Sequence, residues 1–407
     1  MKKEKIPYIR FKKFEQNWFM VCLNKISKSI EYGLNASAKD FDGIHKYLRI
    51  TDIDDSSRLF LTDKLSSPDV DFTLEEYDSF KLQKNDLLFS RTGASVGKTY
   101  LYRDSDGEVY YAGFLIRARL CELSDGNFIF QQTLTDKYKR FIEITSQRSG
   151  QPGVNGKEYG DWALGMTSLP EQSAIGSFFR TFDDLLNSYK GNLVNYQSLK
   201  ATMLSKMFPK AGQTVPEVRL DGFEGEWTIK RADEIFKSVS EKNRALLPVL
   251  SASQADGMVL RDEIGIDIKY DEAALNNYKV VKPGQFVIHL RSFQGGFALS
   301  KLEGITSPAY TIIDFIDKKN NIPDFWNSIL TSRDFIKRLE TVTYGIRDGK
   351  SISFKDFSSL KFVYPELEEQ QAIGKYFTNL DNLITSYQEK ISQLETLKKK
   401  LLQDMFI

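Results

Sequence analysis

The residues that could do chemistry are few, and their spacing excludes more than it permits. Gly93-Ala94-Ser95-Val96-Gly97-Lys98-Thr99 follows a strand-like run and carries the glycines, lysine and hydroxyl of a phosphate-binding loop. That loop needs four residues between its glycines, and only three separate Gly93 from Gly97. The next residues, Tyr100-Leu101-Tyr102, favour a strand, whereas a bound phosphate needs a helix N-terminus there. A turn between two strands is the simpler reading, with Arg91 and Lys98 flanking it. Asp52, Asp54, Asp55 and Lys64 put carboxylates beside an amine, but among 55 acidic residues such groups arise by chance, and they read as solvated loop charge. The two histidines, His45 and His289, fall in different halves and are read as core or surface residues. The two cysteines, Cys22 and Cys121, allow neither a disulfide framework nor a cysteine-rich zinc site. No Asn-Pro-Pro-aromatic or Asp-Pro-Pro-aromatic tetrad for adenine methylation occurs, and no convincing glycine-rich site for a methyl donor. No catalytic residue, metal or cofactor is therefore expected.

What remains is recognition chemistry. Arginine reads guanine edges, asparagine and glutamine read adenine edges, and arginine and lysine hold phosphates. One glycine-punctuated loop supplies Arg148, Gln151, Asn155 and Lys157, and a counterpart in the second half supplies Arg347 and Lys350. Arg91-Thr92-Gly93, with Lys98 beyond it, is paralleled by Arg291-Ser292-Phe293-Gln294-Gly295, which contributes Arg291 and Gln294. These ten residues are candidate contacts to bases or phosphates; ordinary polar turns are the alternative. The net charge is only +1, so any such surface is a local patch and not a global excess of cations.

The elements that must position these loops repeat. Glu171 to Phe208 recurs as Glu369 to Phe406 at a constant offset, with Glu171, Gln172, Ala174, Ile175, Gly176, Phe179, Tyr189, Met207 and Phe208 all repeated. Apolar residues step by three and four, close to a coiled-coil seam. Ile175, Phe179, Phe182 and Tyr189 would face Ile373, Phe377, Leu380 and Tyr387 in an antiparallel helix pair. Each helix would span roughly 57 Å at 1.5 Å per residue, longer than one globular core needs. Gly191 weakens the first copy. Upstream, Pro7 to Trp18 recurs as Pro216 to Trp227, and Gly150, Tyr159, Asp161, Trp162 and Pro170 match Gly345, Phe354, Asp356, Phe357 and Pro365. On that match the second helix opening carries three extra residues, Glu366-Leu367-Glu368. The chain is a tandem duplication. Its central domains share little sequence but both pattern as strands, at 86–91, 98–102 and 110–116, and at 285–289, 296–299 and 310–313. Short helices are expected at 127–135 and 325–339.

The repeated openings Leu169-Pro170-Glu171-Gln172 and Tyr364-Pro365 to Glu369-Gln370, the helices after them and the two divergent central domains resemble the specificity subunits of type I restriction–modification systems. The resemblance implies an α+β fold: two target-recognition domains with a mixed, barrel-like sheet, at 1–168 and 210–363, and two long antiparallel helices, at 169–209 and 364–407. It implies a non-catalytic subunit in which each domain reads one half of a split, asymmetric site in double-stranded DNA, with the ten polar residues as its candidate contacts. The helices would set the spacer and dock two modification (methyltransferase) subunits, and restriction (endonuclease/translocase) subunits would join them. A self-contained two-domain methyltransferase or nuclease, or a coiled-coil scaffold without DNA binding, are the competing readings. No signal peptide and no apolar run of membrane-spanning length is found, so a cytoplasmic protein with no membrane partner is expected.

Overall fold

Alternating side chains explain why both central domains build a sheet buried on both faces. The structure is a computed structural model that describes residues 6–73, 75–148, 150–253, 256–264, 272–288, 296–342 and 354–407. Its contacts divide the chain into one unit of residues 1–191 with 388–407 and another of residues 192–387. The first unit contains β1 (Phe19–Cys22), β2 (Ser27–Tyr32), β3 (Asp86–Ser90), β4 (Thr99–Leu101), β5 (Leu115–Leu120), α1 (Gly126–Gln132), α2 (Asp136–Thr145), α3 (Gly156–Gly160), β6 (Ala163–Met166) and the first half of α4 (Leu169–Lys206). The second contains β7 (Thr228–Arg231), β8 (Phe236–Val239), β9 (Phe286–Ile288), β10 (Phe297–Leu299), β11 (Thr311–Phe315), α5 (Pro323–Leu330), α6 (Arg333–Val342), β12 (Lys361–Tyr364) and the first half of α7 (Leu367–Asp404).

Strand order is β2-β5-β3-β4 in the first unit and β8-β11-β9-β10 in the second, antiparallel throughout. Successive side chains leave opposite faces of a strand. Leu87 and Phe89 enter one core while Leu88 enters another; Phe286 and Ile288 are separated from Val287 in the same way. A second pairing, β1 with β6 and β7 with β12, closes each domain beside its long helix.

The helix expected at 325–339 resolves into two, α5 and α6; the one expected at 127–135 is α1, and α2 begins just beyond it. Thr135 caps α2 by accepting from the Tyr138 N–H, and the Ser332 hydroxyl takes the Phe335 N–H at 3.2 Å; a capping hydroxyl ends one helix run and starts another. Both long helices run 38 residues and begin two residues earlier than the repeat suggests. Phe208 and Phe406 therefore lie beyond the helices, in the domain cores. The match of Tyr159 to Phe354 is also corrected. α3 ends two residues before β6, and the helix Phe354–Ser358 ends two residues before β12. Tyr159 thus corresponds to Phe357, both fully buried, and no residues are inserted at the second helix opening.

The repeated segments turn out to be clasps. In the first unit Arg10 grips Glu171 through one guanidinium edge, Nε and Nη2, at 2.6 and 2.8 Å, and in the second Arg219 grips Glu369 in the same way at 2.8 and 2.7 Å. Gln172 accepts the Asp125 N–H and donates to the Thr167 carbonyl; Gln370 accepts the Ile322 N–H and donates to the Pro365 carbonyl. Trp18, Phe128 and Phe179 surround Phe406, as Trp227, Phe325 and Phe377 surround Phe208. Gly176 and Gly374 recur for a steric reason: a Cβ on either would sit 2.9 Å from a backbone nitrogen, of Phe128 or Phe325.

Within each unit the long helices pair antiparallel. Asp183 meets Lys398 and Lys190 meets Glu395 in the first; Tyr196 meets Tyr387 and Lys200 meets Asp381 in the second. The expected seam holds only in part. Phe182, Tyr189 and Tyr387 are half-buried and Leu380 is buried. Ile175, Phe179, Ile373 and Phe377 instead bury themselves in the domain cores. Leu185 and Leu397 are 45% and 46% exposed. A straight helix drifts by about 20° per heptad from a 3.5-residue seam, so part of the apolar stripe turns outward.

Candidate nucleic-acid interface

In the first unit the two loops singled out in the sequence touch. The hairpin from β3 to β4 turns through Gly93 and Gly97, both at positive φ (+76° and +82°), a conformation that favours glycine. The Gly93 N–H donates to the Pro152 carbonyl at 3.0 Å, and the Val154 N–H donates to the Arg91 carbonyl at 2.9 Å. The Gly156 N–H reaches the Tyr32 hydroxyl at 3.0 Å, which ties the end of β2 to the second loop. The Arg91 N–H takes the Phe114 carbonyl at 3.1 Å, which adds the turn before β5. Gly93–Ser95 is a single helical turn and β4 follows, so the resemblance to a phosphate-binding loop ends there.

Six of the ten candidate contacts lie in this cluster, and their side chains divide into two groups. Arg91 lies with its guanidinium carbon 5.1 Å from the Tyr32 ring and 5.9 Å from the Phe114 ring, and no ion pair holds it among the described residues. Gln151 is exposed beside Gly93, and Lys157 is exposed. The other three are occupied within the fold. Lys98 is 8% exposed, its ammonium 3.1 Å from the Ile53 carbonyl and 2.5 Å from Asp55. Asn155 caps α3 by accepting the Glu158 N–H at 3.0 Å. Arg148 turns back to the Thr145 and Gln147 carbonyls and to Glu158. Arg291, Gln294, Arg347, Lys350 and His289 lie outside the described residues.

The carboxylates of 52–55 are not merely solvated. Asp52 accepts from Nε and Nη2 along one guanidinium edge of Arg49, and Asp55 pairs with Lys98. Burial pulls the Asp54 carboxyl up, but hydrogen bonds from Ser57 and Ser56 outweigh it and hold the group down to about 2. Lys64 is exposed. His45 stacks on Phe72 at 3.7 Å with Asp42 2.7 Å from its Nδ1. Among the described residues no group of three or more His, Cys, Asp or Glu is placed to hold a metal, and no helix is long and apolar enough to cross a membrane. Tyr32 and Phe114 went unnoticed as site residues in the sequence; only strand pairing brings them to Arg91.

Two copies of one α+β domain are each clasped to a long helix, and the first presents a loop cluster with a half-buried arginine and an exposed glutamine and lysine. A family model for the type I restriction modification DNA specificity domain matches residues 224–396. The specificity subunit of the type I restriction enzyme MjaVIII from Methanocaldococcus jannaschii is 23% identical over 95% of this chain and 91% of its own length. That of the MjaX enzyme from the same organism is 22% identical over 96% and 94%. The crystal structure of the type I restriction–modification S subunit from M. genitalium shares the fold, with a TM-score of 0.65 over 99% of both chains at 14% identity. The match to the specificity-domain family thus covers residues 224–396, and along nearly its whole length the chain is similar to type I specificity subunits.

Proposed function

We propose that each unit reads one half of a split, asymmetric DNA site. The modules are residues 1–168 and 210–363, and the frame is 169–209 and 364–407. Type I specificity subunits act on DNA together with methyltransferase and restriction subunits; here α4 and α7 dock two modification subunits, which carry adenine methylation, and restriction subunits join that assembly. One observation carries the reading. Two domains with the same strand order and the same clasp differ in almost every residue between the clasps, as two readers of different sequences must. In the first unit Arg91, Gln151 and Lys157 are the side chains placed to read.

Methylation mapping in cells with and without the gene tests this. One split motif with methylated adenines in both halves is expected; a continuous motif, or none, would contradict it. The helices as spacer make a second expectation. Inserting four residues after Lys200 adds roughly 6 Å at 1.5 Å per residue and nearly keeps the helix face. At about 3.4 Å per base pair, half-sites moved apart by one to two base pairs should be preferred. A two-residue insertion turns the seam away by about half a turn and should weaken assembly.

A further inference from the structure

The turn before β5 carries an apolar residue in an unusual setting. Phe114 has its carbonyl taken by the Arg91 N–H, and the same turn is closed by the Leu115 N–H on the Ala112 carbonyl at 2.8 Å and the Gly113 N–H on the Leu34 carbonyl at 2.8 Å. The backbone is fixed on both sides, yet the ring is 62% exposed. It is exposed next to Arg91, whose other neighbour, Tyr32, is 44% exposed and holds the Gly156 N–H with its hydroxyl. A guanidinium between two rings keeps its plane while its N–H edge stays available; the Nη1 contact to the Gly113 carbonyl is long, at 3.4 Å. An aromatic fixed at the tip of a pinned turn, beside an arginine without a carboxylate partner among the described residues, suits a surface that is both anionic and locally apolar. The major groove of DNA offers that where a thymine methyl lies beside a guanine edge.

We propose that Tyr32, Arg91 and Phe114 form a single reader in which the rings hold Arg91 flat against a guanine edge and Phe114 packs on the C5-methyl of an adjoining thymine. This deepens the function proposed above and rests on it. Phe114 and Tyr32 are then specificity-determining residues: Phe114 touches a base, and Tyr32 positions Arg91. In the second unit an aromatic residue, Tyr310, also stands immediately before the corresponding strand, β11, and is half-buried.

The test uses the full-length chain assembled with its modification subunits and a duplex library randomised over both half-sites. The wild type should select a motif with a guanine–thymine step in one half. Replacing that thymine by uracil should weaken wild-type binding about fourfold, the worth of burying one methyl group. Phe114→Ala should lose the thymine preference, become insensitive to uracil and leave the other half-site unchanged. Arg91→Lys, which keeps the charge but not the flat fork, should lose roughly tenfold or more at the guanine. Phe114→Leu, which keeps an apolar side chain, should retain part of the thymine preference. Parental selectivity in Phe114→Ala, or an even loss of affinity on all sequences, overturns the reader. A wild-type complex that selects a split motif without a guanine–thymine step overturns the reader alone, whereas one that selects no split motif overturns the proposed function and the reader with it.

Discussion

The two units build the same clasp from the same residues and the rest of each domain from different ones. Arg10–Glu171 and Arg219–Glu369, the Gln172 and Gln370 hydrogen bonds, and the aromatic groups around Phe406 and Phe208 correspond pair for pair. Away from the clasps the units part. In the first, Lys46–Leu48 pairs parallel with Val109–Tyr111, and a third small core of Leu34, Tyr47, Tyr110 and Ala112 packs beneath. In the second, Lys279–Val281 pairs antiparallel with Gly304–Thr306. Residues that hold a domain to a long helix are constrained by geometry, since a carboxylate buried in a core tolerates no partner but its own. Residues that face a ligand are constrained only by that ligand.

The sharpest way to break the equivalence is at the buried carboxylates. Glu171 and Glu369 are 0% and 3% exposed, so Glu171→Ala and Glu369→Ala each strand a guanidinium. Each should destabilise the chain by about 3–5 kcal/mol in denaturant unfolding, and by similar amounts. A loss confined to one of the two would show that only one clasp bears load. Next come Gly176→Ala and Gly374→Ala, which should each cost about 1–3 kcal/mol: the added Cβ meets the backbone nitrogen of Phe128 or Phe325, and at Gly176 also the Asp125 carboxylate that caps α1. Gln151→Ala should cost about 1–3 kcal/mol on the cognate site and relax one position of one half-site, and Arg347→Ala the same in the other half. Unchanged binding to cognate and random DNA removes either residue from the site. The smallest effect has the opposite sign. Nothing lies within 4 Å of a Cβ placed on Gly191, which stands where α7 carries Glu389, so Gly191→Ala should stabilise by about 1 kcal/mol.

Much of the frame was legible because it is written twice. The duplicated helices, the tandem architecture and the strands near 86–90 and 286–288 follow from repetition and periodicity. The clasps were visible only as repeated letters, since neither Arg10 with Glu171 nor Arg219 with Glu369 is close in sequence. The seam was overdrawn, because an apolar residue at helical spacing cannot say whether it faces a partner helix or a domain core; Ile175 and Phe179 chose the core. The site was half legible. Residue type singled out Arg91 and Gln151, which lie half-buried and exposed in adjoining loops, but it could not separate them from Lys98, which a buried carbonyl and Asp55 claim, or from Asn155, which caps a helix. Tyr32 and Phe114 carry no local signal, because their place depends on strand register.

The structure also sets where the central exchange should be cut. Loop 91–97 and loop 148–157 hydrogen-bond to each other, so a transplanted reader must carry both. The measurement that tests the account most directly exchanges residues 25–160 as one piece for the equivalent segment of a relative. Methylation is then read out on a library covering both half-sites. The account predicts that one half-site changes to the donor's and the other stays parental, at the parental spacing. A complex that assembles and methylates but changes both halves, or neither, would contradict it.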